Sequence, residues 1–336
     1  MKKLFPYSLT AILILALALS GCGGGRGETG GGGGGTSGSG TTYTPGQAST
    51  CTVGDVTFNL RYAPSAASFP TGISDYETGS VSNPFWIAET EVTYQLWAAV
   101  YTWATSNSYT FANAGREGHD GAIGAAPTGA SQEPVTSINW RDAMVWCNAL
   151  TEYYNAQNGT DYACVYCTDA NFATPLRSVD NGVVDTTAGH EDNPYVNPNA
   201  KGFRLPSTME WELAARYQNG TNWTRGTHVS GDTTGSCDSS SGKSIVFGNY
   251  AWHRDNCEKS THPVGEKLAN ALNIKDMSGN VWEWCFDWYP GSIGSYRVCR
   301  GGGWDYDAGN LMIGLVCRGT PDDADYGLSI RPVRTQ

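Results

Sequence analysis

The residues best suited to contact a ligand lie near the carboxyl end of the chain, in a window of residues 305–328. This C-terminal window is rich in Asp and Gly, carries two Tyr and one Asn, and contains no Lys, Glu, Gln or Trp. Tyr offers a large contact area with few rotatable bonds, and small polar residues offer adaptable hydrogen bonds. The composition therefore favours a binding surface, and an ordinary solvent-exposed loop is the alternative.

Ten residues of the window are candidates for ligand contact: Asp305, Tyr306, Asp307, Gly309, Asn310, Leu315, Arg318, Asp323, Asp325 and Tyr326. A surface whose side chains vary needs a backbone held by residues that do not vary. The frame residues that could do this are Arg300, Gly301, Gly302, Gly303, Trp304, Pro321, Ile330 and Arg331, with the bulk of Trp282 and Trp284 beneath them.

Thiol chemistry has weaker candidates in this sequence. Cys164 and Cys167 form a CxxC motif, but no second CxxC and no surrounding βαβ pattern support zinc binding or dithiol exchange. We therefore expect a structural role for this pair. Cys299 and Cys317 flank the start of the window, and either a disulfide or two buried thiols would explain them.

The amino terminus has the composition of an export signal. Lys2 and Lys3 precede an apolar run at residues 11–19, which is too short for a membrane-spanning helix. Leu-Ser-Gly-Cys, ending at Cys22, resembles the bacterial motif at which a signal is cut and the cysteine acylated. We predict a signal at residues 1–21 and lipidation of Cys22, giving a lipid-anchored protein of the outer membrane and cell surface. Ordinary cleavage nearby is the alternative.

Composition then divides the mature chain into two parts. Residues 22–50 are dominated by Gly, Ser and Thr, which cannot bury enough apolar surface to fold, so they predict a flexible tether. Residues 51–336 have the length and the Trp and Tyr content of one folded domain. Ten cysteines less the lipidated Cys22 leave nine, so in an oxidising compartment we expect some disulfides and at least one free thiol.

The net charge of −11 bears on the class of partner. An acidic protein is repelled by nucleic acid and by anionic lipid. We therefore expect no nucleic-acid partner, membrane contact through the lipid anchor alone, and a monomer.

Four stretches predict the elements that would position the window. Residues 84–104 indicate a short strand followed by a helix. Asn139 is a predicted N-cap for an amphipathic helix, and Ser207 with Glu210 has the spacing of a capping box. Residues 281–284 alternate as a strand does. Few helices, short strands and long polar loops predict an α+β domain.

Five blocks of residues occur in an order similar to that of the formylglycine-generating enzymes, the sulfatase-modifying factor family. They are residues 91–93, residues 134–143, residues 202–212, residues 276–284 with the sequence DMSGNVWEW, and residues 300–304 with the sequence RGGGW. The resemblance spans about residues 53–334. It implies a C-type-lectin-like fold with little regular secondary structure.

The same resemblance bears on activity and metal binding. Oxidases of the family bind copper(I) with two cysteine thiolates after the Arg-Gly-Gly block, and counting from Arg300 those positions are Tyr306 and Leu311. This implies no catalytic residues, no required cofactor and no enzyme. Family members also bind structural calcium near the Gly-Asn-Val-Trp-Glu-Trp segment. The candidate ligands here are Asn280, Glu283, Asn256 and Asp276, each of which could equally be a capping or hydrogen-bonding residue.

The C-terminal window also resembles that of the variable proteins of diversity-generating retroelements, in which reverse transcription rewrites template adenines. Most residues of the window are types reachable from Asn codons by such changes. The resemblance implies a surface-displayed binder of an unknown protein or glycan on a host or on another microbe. The alternatives are an active oxidase of the family and a degenerate member whose window does not vary.

Overall fold

The computed structural model describes residues 41–129, 132–235, 237–239 and 242–336. The predicted signal, Cys22 and most of the tether lie outside the described residues. Among the residues described, no helix has the length and apolar character needed to cross a bilayer.

The strands are short and the helices few. The strands are β1 (Ala48–Val53), β2 (Val56–Ala63), β3 (Ala66–Thr71), β4 (Glu77–Val81), β5 (Phe85–Ala88), β6 (Arg116–Glu117), β7 (Val135–Thr136), β8 (Tyr166–Cys167), β9 (Tyr195–Val196), β10 (Phe203–Arg204), β11 (Trp282–Trp288), β12 (Arg297–Arg300), β13 (Cys317–Gly319), β14 (Leu328–Ser329) and β15 (Val333–Thr335). The helices are α1 (Tyr94–Thr105), α2 (Trp140–Asn158), α3 (Thr208–Arg216) and α4 (Phe247–Tyr250), with a 3-10 turn at Ala308–Asn310. The architecture confirms the α+β prediction.

Two sheets organise the domain. The first has the strand order β1-β2-β5-β15-β10 and is antiparallel, so the last strand of the chain lies between early ones. The second has the order β13-β12-β11-β14, in which β14 runs parallel to β11. The C-terminal window begins after β12, contributes β13, and ends on β14. Both of its ends are therefore held by the second sheet.

The three longer helices begin at side-chain caps. Ser207 and Glu210 form the predicted capping box at α3, and the predicted N-cap Asn139 forms a further capping box with Asp142 at the start of α2. Thr93 caps α1. Helices α1 and α2 pack through stacked indoles, since the rings of Trp97 and Trp146 lie 5.5 Å apart and nearly parallel. Each indole is fully buried.

The folded domain begins before residue 51, so the predicted boundary of the tether needs correction. Strand β1 already starts at Ala48. The Tyr43 ring packs against Trp86 at 5.0 Å, and the Gly46 backbone N–H donates to the Tyr62 carbonyl at 2.9 Å. Residues 41–47 resemble the tether in composition, but the Tyr43 ring contacts and the Gly46 hydrogen bond place them on the first sheet.

Candidate ligand-binding surface

The frame beneath the window is a buried network of charged side chains. Arg300 is fully buried and donates to the Glu212 carboxylate, to the Leu315 carbonyl at 2.7 Å and to the Thr208 hydroxyl at 3.0 Å. Glu212 also pairs with Arg216 at 2.8 Å. Burying a guanidinium is costly unless its donors are satisfied, and here the carboxylate and the carbonyl satisfy them. The network therefore fixes where β12 ends and the window begins.

Glycine is required where the chain leaves β12. Gly302 has φ +86°, and a Cβ at this position would lie 2.7 Å from the Asn310 carbonyl oxygen. The backbone of the window at Asn310 therefore packs directly against Gly302, where the chain leaves β12. A side chain at Gly302 would displace the 3-10 turn.

The main chain of the window is held by residues outside it. Arg254 donates its Nε and Nη2 to the Asp305 carbonyl at 2.9 and 2.7 Å, and its backbone N–H donates to the Tyr306 carbonyl at 3.0 Å. Further along, backbone N–H groups of three other elements donate to window carbonyls: Ser137 to Asp325 at 3.1 Å, Trp282 to Gly327 at 2.7 Å and Trp140 to Pro321 at 3.2 Å. None of these bonds depends on the identity of a window side chain.

Four window side chains, Asp305, Tyr306, Asp325 and Tyr326, lie beside three aromatic residues outside the window. The His119 ring lies 4.6 Å from Trp304 and 5.0 Å from Tyr326, and Tyr306 packs edge-on against Trp282 at 5.5 Å. Asp305 and Asp325 lie close enough to affect the titration of both tyrosines. We call this group the aromatic-acidic cluster; its members are Asp305, Tyr306, Asp325, Tyr326, Trp304 and His119.

Partial burial changes the electrostatics of the cluster. Burial raises the pKa of Asp305 and of Asp325 above that of an ordinary aspartate, and the Asp325 charge raises that of Asp305 further. Burial likewise raises the pKa of Tyr306 and Tyr326. Desolvation disfavours a charged carboxylate unless a cation is near. An added positive charge would therefore stabilise the ionised carboxylates of Asp305 and Asp325.

Three other predicted contact residues lie beside the cluster. Asp307 is exposed and pairs with Arg254 at 2.9 Å. Gly309 and Asn310 belong to the 3-10 turn, where the Lys243 side chain covers Gly309 so closely that a Cβ there would lie 2.2 Å from the ammonium nitrogen. The surface thus continues from the cluster over the turn.

The remaining predicted contact residues lie elsewhere. Leu315 is 8% exposed and belongs to the main hydrophobic core, so its prediction as a ligand contact is wrong. The segment before β13 turns inward, since the backbone N–H groups of Ile313 and Gly314 donate to carbonyls of residues 228 and 226. Arg318 lies over the rings of Tyr289 and Tyr296, at 5.1 and 4.6 Å. The Asp323 carboxylate lies beside Gly319 of β13.

Two residues at this surface have no signal in the sequence. His119 and Arg254 come from long polar loops without periodicity, 185 and 50 residues before Trp304 in the printed numbering. Tertiary structure alone brings them to the window. A polar residue in a long loop near many glycines is a weak indication of function, and the sequence offers dozens of these.

The cysteines of the described residues are free thiols, so the expectation of disulfides is not confirmed. Eight of the nine are buried, and Cys237 is exposed. Cys299 and Cys317 face each other on β12 and β13, and burial raises the pKa of Cys299 well above its usual range. Cys164 and Cys167 are buried too, which raises the pKa of both thiols and disfavours the reactive thiolate.

Glu283 does not offer calcium a free carboxylate. It is fully buried, accepts from Arg331 at 2.7 and 3.0 Å, and accepts from the Trp211 indole N–H at 2.6 Å. The guanidinium of Arg331 supplies the positive charge that a calcium ion would supply.

The other three predicted calcium ligands are also committed to protein groups. Asn256 and Asn280 each accept from a backbone N–H, at 2.7 and 3.1 Å, and Asp276 accepts from the Gly265 N–H at 2.5 Å. Among the described residues, no group of three or more His, Cys, Asp or Glu side chains could hold a metal ion. Asp276 Oδ1 is buried without a hydrogen-bond partner among the described residues, whereas the other oxygens of the four side chains are engaged, so calcium binding here stays a prediction.

Sequence comparison identifies the family of the chain. The family model described as the sulfatase-modifying factor enzyme 1-like domain matches residues 58–335. The chain belongs to this family. One relative, named chaperone protein LppX, from Paenibacillus barcinonensis, is 29% identical over 245 residues, which are 70% of this chain and 75% of that protein. The formylglycine-generating enzyme of Streptomyces coelicolor is 30% identical over 152 residues, 39% of this chain and 46% of that enzyme.

Two solved structures share the fold. Treponema denticola variable protein 1 superimposes with a TM-score of 0.65 at 28% identity, covering 86% of this chain and 99% of that one. PvdO from Pseudomonas aeruginosa superimposes with a TM-score of 0.54 at 17% identity, covering 88% and 100%, and supports the fold alone. The family resemblance and the C-type-lectin-like fold predicted from the sequence are confirmed.

Proposed function

We propose that this protein is a surface lipoprotein that binds ligands through a diversified C-terminal window on a C-type-lectin-like scaffold. The observation that carries the proposal is the way the window is held. Residues outside the window bond its carbonyl groups, while the side chains of the cluster form a half-buried surface. A backbone secured in this way accepts new side chains without losing its shape.

The likeness to Treponema denticola variable protein 1 supports the proposal. It extends over 86% of this chain, including the domain that carries the window. Similarity of fold does not by itself transfer a function, because one scaffold hosts many sites. The chemistry of the window therefore has to support the same conclusion, and its Asp, Tyr and Gly composition does.

A binder is favoured over an oxidase by the residues at the counted thiolate positions. Tyr306 packs against Trp282, and Leu311 is fully buried against Val229, Phe247 and Ala251. Neither side chain is a soft ligand for copper(I). We expect the purified chain to retain no copper(I) at a cysteine pair and to leave a sulfatase-type cysteine peptide unoxidised. Stoichiometric copper with peptide oxidation would establish the oxidase alternative.

Export and anchoring through Cys22 are part of the proposal. Detergent phase partitioning of cell extracts tests it: the mature protein should enter the detergent phase, and Cys22→Ser should move it to the aqueous phase or block processing. Protease treatment of intact cells then tests surface display. Unchanged partitioning of a normally processed Cys22→Ser variant would refute the anchor.

Diversification has its own test in the DNA around the gene. We expect a near-identical repeat of the segment that encodes residues 305–328, differing at adenines, with a reverse transcriptase gene nearby. Clones from one culture should then differ within the window and agree in the frame residues. Without a repeat, the window is an ordinary loop of a family member that does not vary.

A further inference from the structure

The centre of the aromatic-acidic cluster carries two carboxylates, Asp305 and Asp325, that form no ion pair within the part of the chain that the structure describes. Among the described residues, the Asp325 carboxylate accepts only from the Gly327 N–H, at 3.0 Å. Arg254 is engaged with Asp307 and with main-chain carbonyls. The positive charge of Arg116 lowers the pKa of Asp325, but less than burial raises it. Two half-buried carboxylates among aromatic rings thus have no ion-pair partner among the described residues.

A second, independent observation at the same place is an unused hydrogen-bond donor. Trp304 is 7% exposed, and its indole N–H has no partner in the part of the chain that the structure describes. The Nε of Arg116 is likewise unpartnered there. A buried donor without an acceptor costs about 1–3 kcal/mol, so such groups usually meet a partner in the functional state. Both nitrogens are shielded from solvent, so an acceptor reaches the Trp304 indole N–H only when the side chains around it move aside.

We propose that the aromatic-acidic cluster binds a lysine or arginine side chain of a partner protein, with a main-chain carbonyl of the same segment accepting from Trp304. This inference rests on the proposed function and names the ligand class for this version of the window. The rings of Tyr306, Tyr326 and Trp304 would flank the alkyl or guanidinium part, and the two carboxylates would face the charge. Aromatic faces and carboxylates together are what a desolvated cation prefers.

Charge favours a basic protein over a neutral glycan. The window contains five aspartates, at positions 305, 307, 322, 323 and 325, against one arginine, Arg318, which lies over Tyr289 and Tyr296. A glycan hydroxyl could accept from Trp304 but would leave both carboxylates without a counter-charge. A peptide segment with a basic side chain satisfies the donor and the carboxylates together.

The cluster also separates what is constant from what changes. Trp304 is a frame residue and His119 lies outside the window, whereas Asp305, Tyr306, Asp325 and Tyr326 lie within it. The aromatic rings of Trp304 and His119 would therefore be present in every version of the surface. Other versions of the four window residues would select other ligands at the same place.

The test is a titration of the full mature chain, solubilised in detergent, followed by NMR of the tryptophan indole groups. The probes are pentapeptides Ac-Gly-Gly-X-Gly-Gly-NH2 with Lys, Arg, norleucine or Glu at X. Trp304→Phe assigns the Trp304 indole signal. We expect this signal to shift saturably with the Lys or Arg peptide and to stay fixed with norleucine and Glu.

Isosteric variants then test the carboxylates. The double variant Asp305→Asn with Asp325→Asn should bind the Lys or Arg peptide with an affinity lower by at least about tenfold, which is the scale of one buried cation contact. Asp322→Asn, an exposed aspartate of the same window, is the matched control and should leave the affinity unchanged. An otherwise unperturbed spectrum shows that the double variant is folded.

Three outcomes would overturn the inference. They are a fixed Trp304 signal with all four peptides, an equal shift with norleucine, and a saturable shift with neutral saccharides in place of peptides. Each leaves the proposed function standing if the template repeat is found next to the gene. Conversely, a missing repeat refutes diversification without altering the peptide titration.

Discussion

The frame and the C-terminal window differ in which atoms hold them. Arg300 and Arg331 of the frame are fully buried, and their side chains make the bonds that fix them to Glu212 and Glu283. In the window, by contrast, Asp305, Tyr306 and Asp325 are fixed to the scaffold through main-chain carbonyls. Every residue type has a carbonyl group. Variation is therefore tolerable in the window and destructive in the frame.

The largest expected effect comes from breaking the frame. Arg300→Met should lower the free energy of unfolding by about 3–5 kcal/mol, because it leaves the buried Glu212 carboxylate with one guanidinium instead of two. Urea denaturation measures the change. Arg318→Met, on the neighbouring strand β13, is the matched control and should cost no more than about 1 kcal/mol. Equal costs at the two positions would contradict the distinction between frame and window.

A smaller effect should follow from removing the side chain that holds the window's main chain. Arg254→Ala removes two hydrogen bonds to the Asp305 carbonyl and the ion pair with Asp307, at a cost of about 1 kcal/mol in stability. Hydrogen exchange should accelerate at residues 306–311. Arg177→Ala, which removes a similarly exposed ion pair with Glu152, should leave exchange in this segment unchanged. Unaltered hydrogen exchange in Arg254→Ala would mean that residues 306–311 keep their backbone conformation without the Arg254 hydrogen bonds.

Exchanging the window side chains should lower the free energy of unfolding by less per residue than either Arg300→Met or Arg254→Ala. Replacing Asp305, Tyr306, Asp307, Asp325 and Tyr326 together should reduce stability by less than about 3 kcal/mol, because substitutions away from the core usually fall within about 0.5 kcal/mol each and Tyr306, which packs against Trp282, adds somewhat more. Thermal unfolding measures this, and binding to peptide and glycan arrays measures the altered partner preference. If the exchanged protein fails to fold, the five side chains belong to the frame.

The smallest expected effect is a pH dependence of binding. An ordinary aspartate has a pKa of about 3.9. Burial raises the pKa of Asp305 and Asp325, so these two carboxylates take up protons at a higher pH than that. A cationic ligand requires the ionised form, and its affinity should therefore fall as pH is lowered from neutral. The peptide titration at several pH values measures the slope, and Asp305→Asn with Asp325→Asn should flatten it.

The surrounding charged and titratable groups set the controls for that profile. Tyr306 and Tyr326 stay neutral because burial raises the pKa of both. Arg116 and Arg254 lie near the two carboxylates, and His119 is the imidazole of the cluster. His119→Gln removes the imidazole, so a slope that persists in this variant belongs to the carboxylates. A slope that disappears with His119 would contradict the assignment.

The sequence predicted what depends on neighbouring residues. Asn139 was identifiable as a cap because it directly precedes an amphipathic segment, and Ser207 because its capping-box partner Glu210 is three residues away. The ordered blocks indicated the family and hence the C-type-lectin-like fold. Leu315 was misplaced among the contact residues because nothing near it shows that the chain turns into the core after the 3-10 turn.

Contacts between distant segments were beyond prediction from composition and spacing. His119 reaches Trp304 and Tyr326 only because β6 and β7 bring its loop beside β14. The calcium expectation depended on residue types, since Glu283 and Asp276 are acidic. Whether such residues meet a metal or a guanidinium depends on where Arg331, 48 residues away, is placed.

The backbone conformation of the frame affects how many rewritten copies of the gene would yield folded protein. Gly301 and Gly302 have φ values of +96° and +86°, and a side chain at Gly302 would strike the Asn310 carbonyl. Glycine and proline codons have adenine only at the third, synonymous position, and the tryptophan codon has none. A process that rewrites adenines would therefore leave Gly301, Gly302, Trp304 and Pro321 unchanged in every copy. The positions where replacement is most damaging would be protected by the genetic code, so selection would discard fewer offspring.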